Sequence, residues 1–381
     1  MKKYGELTRL LDFMEENIDI DHIRKIEQLQ YDAINYKKVD RLPLTICTAS
    51  DDFEQIPTEI AFDNPEMMLF NEILCSSSIH SAYNSVRMKD DSSLMIRSNH
   101  GSGIIASMFG CKTSFSSYGV TETNPITLDE AKKIFAKGAP NTRAGLGKKV
   151  IDTYMYYHER LESYPKCYRT IRITQPDING PFGILHSIIG SLAFLLTDKN
   201  PDLAKYMIDV ITHTYINFRR EVDLLLTDRI NDAIFVNGLC CGGRVFIKSD
   251  CAAAQLPDEM YKLYEEEPES YIIDAFSSQG GGSICYCGET RPLQKKAIPN
   301  KNLRCVNYSN PDKHDLNEEY EHYREHNIAI VGWGYDKKYS QIKETLNISN
   351  DGNPIKTGMT LICRADSTED GIEILKTHRN N

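Results

Sequence analysis

Eight short runs of apolar and β-branched residues recur from residue 42 onward, and helical patterns separate most of them. The runs are 42–48, 93–98, 168–174, 232–236, 282–287, 303–308, 327–332 and 359–363. Strands that alternate with helices indicate parallel pairing through right-handed crossovers. The sequence therefore predicts the α/β class, with a (β/α)8 TIM barrel as the architecture. An open doubly wound sheet is the alternative, although no glycine-rich nucleotide-binding motif follows an early run.

Two parts of the chain lie outside this alternation. Residues 1–40 read as two helices with apolar stripes, formed by Leu7, Leu10, Leu11 and Met14 and by Ile23, Ile26, Leu29 and Ala33. The connection over residues 99–167 is far longer than an ordinary loop. We expect a helical extension over 1–40, a barrel domain over 41–381, and a long insertion after the second strand that acts as a lid over the barrel mouth.

Charge and hydropathy narrow the possible partners. The 381 residues carry 44 Lys and Arg against 54 Asp and Glu, a net charge of −10, which repels the phosphate backbone of nucleic acids. No apolar run approaches the roughly 20 residues of a membrane span, and the acidic N-terminal region does not resemble a signal peptide. We expect a soluble, cytoplasmic protein that binds neither nucleic acid nor membrane and keeps its 11 cysteines reduced.

Three cysteines are candidates for a metal site. In the segment GGGSICYCG (280–288), Cys285 and Cys287 lie two residues apart and so share one face of a strand. Cys363 ends the last run, and we expect it to open on the same side of the barrel. Three thiolates with one open position would suit a catalytic zinc ion. Simple packing is the alternative for these thiols, and a fourth ligand from Cys305 or Cys251 would make the site structural.

Polar residues near predicted strand ends are candidates for the pocket. Barrel active sites form at the carboxyl ends of the strands. The candidates for catalysis are Asp177, Asp250 and Glu289, and those for substrate binding are Asn179, His100 and Trp333. A turn position for His100 and a packing role for Trp333 are the alternatives.

Three ordered segments resemble the uroporphyrinogen decarboxylase superfamily. They are QPDINGPFG (175–183), FIKSDCAAAQLPDEM (246–260) and SICYCG (283–288). The last segment stands where that superfamily has "HxCG". The resemblance extends over residues 40–378 and implies a (β/α)8 barrel.

Within that superfamily the resemblance favours the cobamide-dependent methyltransferases. The decarboxylases carry an arginine after the first strand to hold substrate carboxylates, whereas residues 45–54 here are acidic and contain none. The methyltransferases hold zinc with an HxC pair and a distant cysteine. Cys287 and Cys363 match two of these ligands at an interval of 76 residues (363 − 287), and Cys285 replaces the histidine.

This resemblance implies an enzyme that uses Zn²⁺ and moves a methyl group. The transfer would run between a small thiol or methylated compound and the cobalt of a partner corrinoid protein, which alone carries the corrinoid. Two other functions stay open, a metal-free lyase of the decarboxylase type and a barrel that only binds a partner. By analogy with the superfamily, a homodimer is possible.

Overall fold

The computed structural model describes residues 4–49, 52–75, 80–116, 121–288, 299–346 and 355–380. Strands and helices alternate over most of this length. The strands are β1 Leu44–Cys47, β2 Met95–Arg97, β3 Lys112–Phe115, β4 Thr121–Asn124, β5 Arg172–Thr174, β6 Ala233–Val236, β7 Leu239–Gly242, β8 Val245–Ser249, β9 Gly282–Tyr286, β10 Leu303–Tyr308, β11 Ala329–Trp333 and β12 Met359–Arg364.

The helices pack around these strands. They are α1 Tyr4–Asn17, α2 Ile20–Ile34, α3 Thr58–Ala61, α4 Pro65–Leu74, α5 Ala82–Met88, α6 Ile104–Met108, α7 Leu128–Phe135, α8 Gly147–Leu161, α9 Pro165–Thr170, α10 Pro181–Ile189, α11 Leu192–Lys199, α12 Pro201–Asp223, α13 Asp258–Tyr261, α14 Glu267–Ala275, α15 Leu316–Arg324, α16 Tyr339–Leu346 and α17 Thr368–Arg379. A π-helical turn, Lys262–Glu266, joins α13 to α14.

A parallel sheet of six strands forms the centre of the fold, in the order β1-β12-β11-β10-β9-β8. A second parallel pair, β2 with β5, lies beside its β8 edge. A bridge between Asn179 and Lys248 joins the chain after β5 to β8, and the Phe246 amide donates to Gln175 Oε1 over 3.0 Å. The predicted α/β class is confirmed, and seven of the predicted runs correspond to β1, β2, β5 and β9–β12.

The gap between β1 and β2 is bridged by side chains. The amide of Leu44 donates to Asp91 Oδ2 over 2.9 Å, and the amide of Ile46 donates to Asp90 Oδ2 over 2.8 Å. These carboxylates take the place of carbonyl groups on a neighbouring strand. In the described part of the chain no strand ladder joins β1 to β2, so strand pairing alone does not close the sheet into a barrel.

The prediction that residues 232–236 form a strand of the parallel sheet is wrong. Residues 233–236 form β6, which pairs antiparallel with β7, and β8 takes the expected place in the parallel sheet. The reason lies in the turn: Asn237 and Gly238 both have positive φ, 54° and 77°, as a two-residue hairpin turn of type I′ requires. Asn-Gly between two apolar runs therefore folds the chain back on itself.

The other predicted elements outside the sheet are also present. The two N-terminal helices form, and all of the expected apolar residues except Leu29 are buried. In the long connection, Thr127 and Glu130 form a capping box that opens α7. The domain division at residue 40 and the closing movement of a lid stay predictions.

No single described helix has both the length and the apolar composition to cross a membrane. The consecutive helices α10 and α11 reach that composition only together, and they are bent by 111° at the break between them.

Candidate functional site

A cavity of about 400 Å³ opens at the carboxyl ends of β8 and β9 and is called here the β8–β9 pocket. In a sheet of parallel strands this edge is where binding sites form. The pocket is lined by Asn99, Gly101, Ser102, Thr121, Asp177, Asn179, Lys248, Ser249, Asp250, Cys251, Cys285, Cys287 and Ser309. It thus collects five of the nine residues singled out from the sequence, and part of the long insertion forms one wall.

A network of buried charges lies beneath the pocket. Asp177 Oδ2 forms ion pairs with Arg97 Nη1 at 2.5 Å and with Lys248 Nζ at 3.2 Å. Burial alone would raise the pKa of Asp177, but the two cations outweigh burial and lower this pKa to about 2. Asp177 is therefore an ionised counter-ion at neutral pH rather than a proton carrier.

Arg97 also faces a second carboxyl group, that of Glu72. The Arg97 amide donates to Glu72 Oε2 over 3.0 Å, and the two side chains are 7% and 1% exposed. Burial raises the pKa of Glu72 to about 8, although the Arg97 charge opposes the rise. The guanidinium thus holds two acidic groups in place behind the pocket wall.

Asp250 is fixed by groups from two elements. Asn179 Nδ2 donates to Asp250 Oδ2 over 2.6 Å, and the Ala252 amide donates to Oδ1 over 2.9 Å. A Cβ at Gly183 would lie 2.7 Å from the Cβ of Asp250, so the first turn of α10 packs here only as glycine. The segment 175–183 therefore positions Asp250 at the pocket, which explains why the two segments belong to one site.

Cys285 of β9 and Cys287, which follows this strand, both line the pocket, as their spacing predicts. Cys285 Sγ donates to Asn307 Oδ1 over 3.0 Å and lies 3.2 Å from Ser309 Oγ. Burial raises the pKa of the Cys285 thiol. Cys287 lies beside Cys251, with their Cα atoms 5.3 Å apart, and the two form a disulfide. The expectation that all 11 cysteines stay reduced is therefore corrected for this pair.

Cys363 does not reach this pocket. Strand β12 buries Met359, Leu361 and Cys363 in the main apolar cluster, whereas Cys285 belongs to the second cluster, with Cys240 and Cys241 of the hairpin. Burial raises the pKa of the Cys363 thiol to about 12. Successive side chains of a strand alternate between its two faces. Met359, Leu361 and Cys363 therefore share one face of β12, and this face lies away from the cluster that contains Cys285.

The expected set of three converging thiols is therefore not assembled in this structure. Over the ranges the structure describes, no group of three or more His, Cys, Asp or Glu side chains is arranged to hold a metal ion.

Two of the remaining candidates, His100 and Trp333, lie outside the pocket lining. His100 is 1% exposed and contacts Ser98 Oγ through Nδ1 at 2.8 Å, and burial lowers its pKa to about 4. Only its neighbours Asn99 and Gly101 line the pocket. Trp333 is 3% exposed and packs edge-on against Tyr308 at 5.9 Å, so it serves the core. Glu289 lies outside the described residues.

Two residues of the site were absent from the sequence prediction. Arg97 ends β2, and Lys248 is the one charged residue in the apolar strand β8. A lysine in such a run is a sequence signal that could have been used, because a charge within a buried strand requires a partner. Arg97 gave no comparable signal.

A second cavity of about 660 Å³, called here the β1–β12 cavity, opens at the carboxyl ends of these two strands. Its lining includes Cys47, Glu54, Asp336, Arg364 and Asp366. Arg364 stands opposite Cys47 in the strand register and pairs with Asp336 at 2.8 Å. An arginine thus borders the acidic segment after β1, but β12 supplies it and a carboxylate already neutralises it.

Comparisons with known proteins give a similarity of fold. No protein-family model matches the chain, and no curated protein matches it. Among solved structures, a methyltransferase from Methanosarcina mazei matches with a TM-score of 0.61 and 13% sequence identity, and the match covers 93% of this chain and 98% of that one. The chain therefore shares its fold, over nearly its whole length, with that methyltransferase.

Proposed function

We propose that this protein is a methyltransferase that acts on a small molecule bound in the β8–β9 pocket. The observation that carries the proposal is the likeness of fold to a methyltransferase over 93% of the chain. The pocket supports it, because a cavity of about 400 Å³ at the carboxyl edge of a parallel sheet suits a small substrate.

Methyl transfer requires the nucleophile, the methyl carbon and the leaving group in line, and it requires a place for one proton. The protein contributes by fixing this geometry and by handling the proton. Asp250 is suited to accept a proton from a substrate thiol or amine, because Asn179 and Ala252 fix its two oxygens and the residue lines the pocket. In the reverse direction the same group returns the proton.

Lys248 is suited to hold the substrate. Its side chain is 39% exposed while its Nζ lies 3.2 Å from Asp177, so the ammonium group is anchored on one side and open on the other. A fixed ammonium group stabilises negative charge on a substrate or on a leaving heteroatom. Arg97 stands behind Asp177 and keeps the anchor in place.

The methyl group is proposed to pass between the small molecule and the cobalt of a corrinoid, carried by a partner protein at the pocket mouth. The sequence resemblance supports this finer proposal. A zinc ion held by Cys285, Cys287 and Cys363 does not fit the arrangement of the chain, because Cys363 is buried in the main apolar cluster and Cys285 belongs to the second cluster. No step of the proposed reaction passes through zinc.

The test is the transfer of a methyl group from methylcobalamin to a panel of small thiols. The reaction is monitored through the change in the visible absorbance of the corrinoid. Transfer from methylated sulfur and nitrogen compounds to cob(I)alamin tests the reverse direction. We expect Asp250→Asn to lower the rate by roughly 10²–10⁴-fold, as for removal of a general base. The matched control is Asp366→Asn in the β1–β12 cavity, whose side chain is 77% exposed and which should keep the full rate. A wild-type protein that is inactive in both directions would contradict the proposal.

A further inference from the structure

Cys251 and Cys287 differ from the other cysteines of the chain. Cys251 follows β8 and is exposed, and Cys287 follows β9 and is half-buried. Of the nine cysteines outside this disulfide, seven are buried and two are half-buried. The pair is thus the one place where solvent reaches a cysteine side chain freely and a second sulfur lies beside it.

The backbone around the pair is held without the sulfur–sulfur bond. The Cys287 amide donates to the Ser249 carbonyl oxygen over 3.2 Å, and β8 pairs with β9 up to Ser249 and Tyr286. The Cα separation of 5.3 Å lies within the range in which a disulfide forms. These backbone contacts therefore do not depend on the bond between the two sulfur atoms.

Among the described residues, neither of the other two candidate metal ligands, Cys285 and Cys363, forms a metal-binding group with this pair. Cys285 Sγ is engaged with Asn307 and Ser309, and Cys363 is buried in the other cluster. Both members of the pair line the β8–β9 pocket beside Asp250, so a change in their state alters the wall of the pocket.

We propose that Cys251 and Cys287 form a reversible dithiol–disulfide couple that exchanges with small-molecule thiols and disulfides. The exposed Cys251 thiolate attacks one sulfur of a small disulfide, whose S–S bond breaks and releases one small thiol. The Cys287 thiolate then attacks the Cys251 sulfur of the mixed disulfide and releases the second small thiol. Two protein thiols and one small disulfide thus give one protein disulfide and two small thiols, and the two thiol protons pass to the released thiolates.

The couple changes the groups that the pocket wall presents beside Asp250. In the oxidised form the bond joins Cys251, which follows β8, to Cys287, which follows β9, beside Asp250. In the reduced form two thiols face the cavity. This inference stands on the pairing, exposure and contacts of the two cysteines and does not depend on methyl transfer.

In the experiment, the full chain is equilibrated with mixtures of reduced and oxidised glutathione and then quenched with acid. The mass of the intact protein is measured at each ratio. We expect a mass loss of about 2 Da on oxidation, reversed by excess reduced glutathione. Peptide mapping should place the bond between residues 251 and 287. Cys251→Ser and Cys287→Ser should each abolish the mass loss, and Cys285→Ser, the matched control in the same pocket, should keep it.

Three results would overturn the couple. The first is a wild-type mass that does not change at any glutathione ratio, and the second is an unchanged mass loss in Cys251→Ser. The third is one equivalent of bound zinc per chain that is lost in both single variants, which would make the pair metal ligands. Because Cys251 is exposed, Cys251→Ser should fold even if Cys287→Ser does not. The readout is a mass, so its failure leaves the proposed methyl transfer standing.

Discussion

The β8–β9 pocket and the β1–β12 cavity lie at the same edge of the sheet but hold their charges in different ways. In the larger β1–β12 cavity, Arg364 and Asp336 pair while 59% and 67% exposed. In the smaller pocket, Arg97 and Asp177 pair while 7% and 20% exposed. Exposed pairs contribute little to stability, whereas buried charges are costly unless they are compensated.

The burial of the charges, rather than the volume of the cavity, is our reason for choosing between the two. A chain retains buried, perturbed carboxylates where structure or chemistry requires them, and such groups cluster at functional sites. The pKa of Asp177 is lowered and that of Glu72 is raised around a single guanidinium. We therefore place the chemistry in the smaller pocket, and three variants test that choice.

The largest effect is expected from Arg97→Met. Removal of the buried guanidinium leaves Asp177 with Lys248 alone and leaves Glu72 without a cation, which should lower the free energy of unfolding by about 3–5 kcal/mol. Arg364→Met in the β1–β12 cavity should cause no measurable change, because its ion pair lies in solvent. Urea denaturation of both variants measures the contrast. Equal losses would remove the distinction between the two cavities.

A smaller effect on the free energy of unfolding is expected from Asp177→Asn, and this effect should depend on pH. The pKa of Asp177 is lowered from 3.8 to about 2, so its carboxylate stabilises the folded state above about pH 4. This contribution, about 2 kcal/mol, is lost as the pH falls through 2, with about half left at pH 3. The stability difference between wild type and variant should therefore shrink as the pH falls from 6 to 3. A difference that stays constant over this range would contradict the assignment of Asp177 as a buried counter-ion.

Much of the fold could be predicted from the periodicity of the sequence. Seven apolar runs are strands of parallel pairs, because alternation with helices leaves few other ways to bury them. The error at 232–236 was also avoidable, since Asn237-Gly238 is a strong local hairpin signal. The side-chain contacts between β1 and the segment before β2 were not predictable, because they depend on the tertiary positions of Asp90 and Asp91.

The site was predicted only where local rules decide. The period of two placed Cys285 and Cys287 on one face, and both line the pocket. Asp177, Asn179 and Asp250 follow strand ends and meet there as well. Arg97 could not be predicted, because its role arises from the pairing of β2 with β5, which brings it to Asp177.

The smallest effect is expected from Cys363→Ala, and it tests which face of β12 this side chain occupies. If Cys363 packs in the main apolar cluster, the variant loses one buried sulfur, about 1 kcal/mol of stability, and keeps both the methyl-transfer rate and the redox couple. If Cys363 shared an ion with Cys285 and Cys287, the variant would instead change activity and metal content together. Cys285→Ala is the matched control, because it removes a thiol that lines the pocket and donates a hydrogen bond to Asn307. A shift of one residue in the register of β12 would exchange its two faces, so stability and activity measured on these two variants distinguish the faces directly.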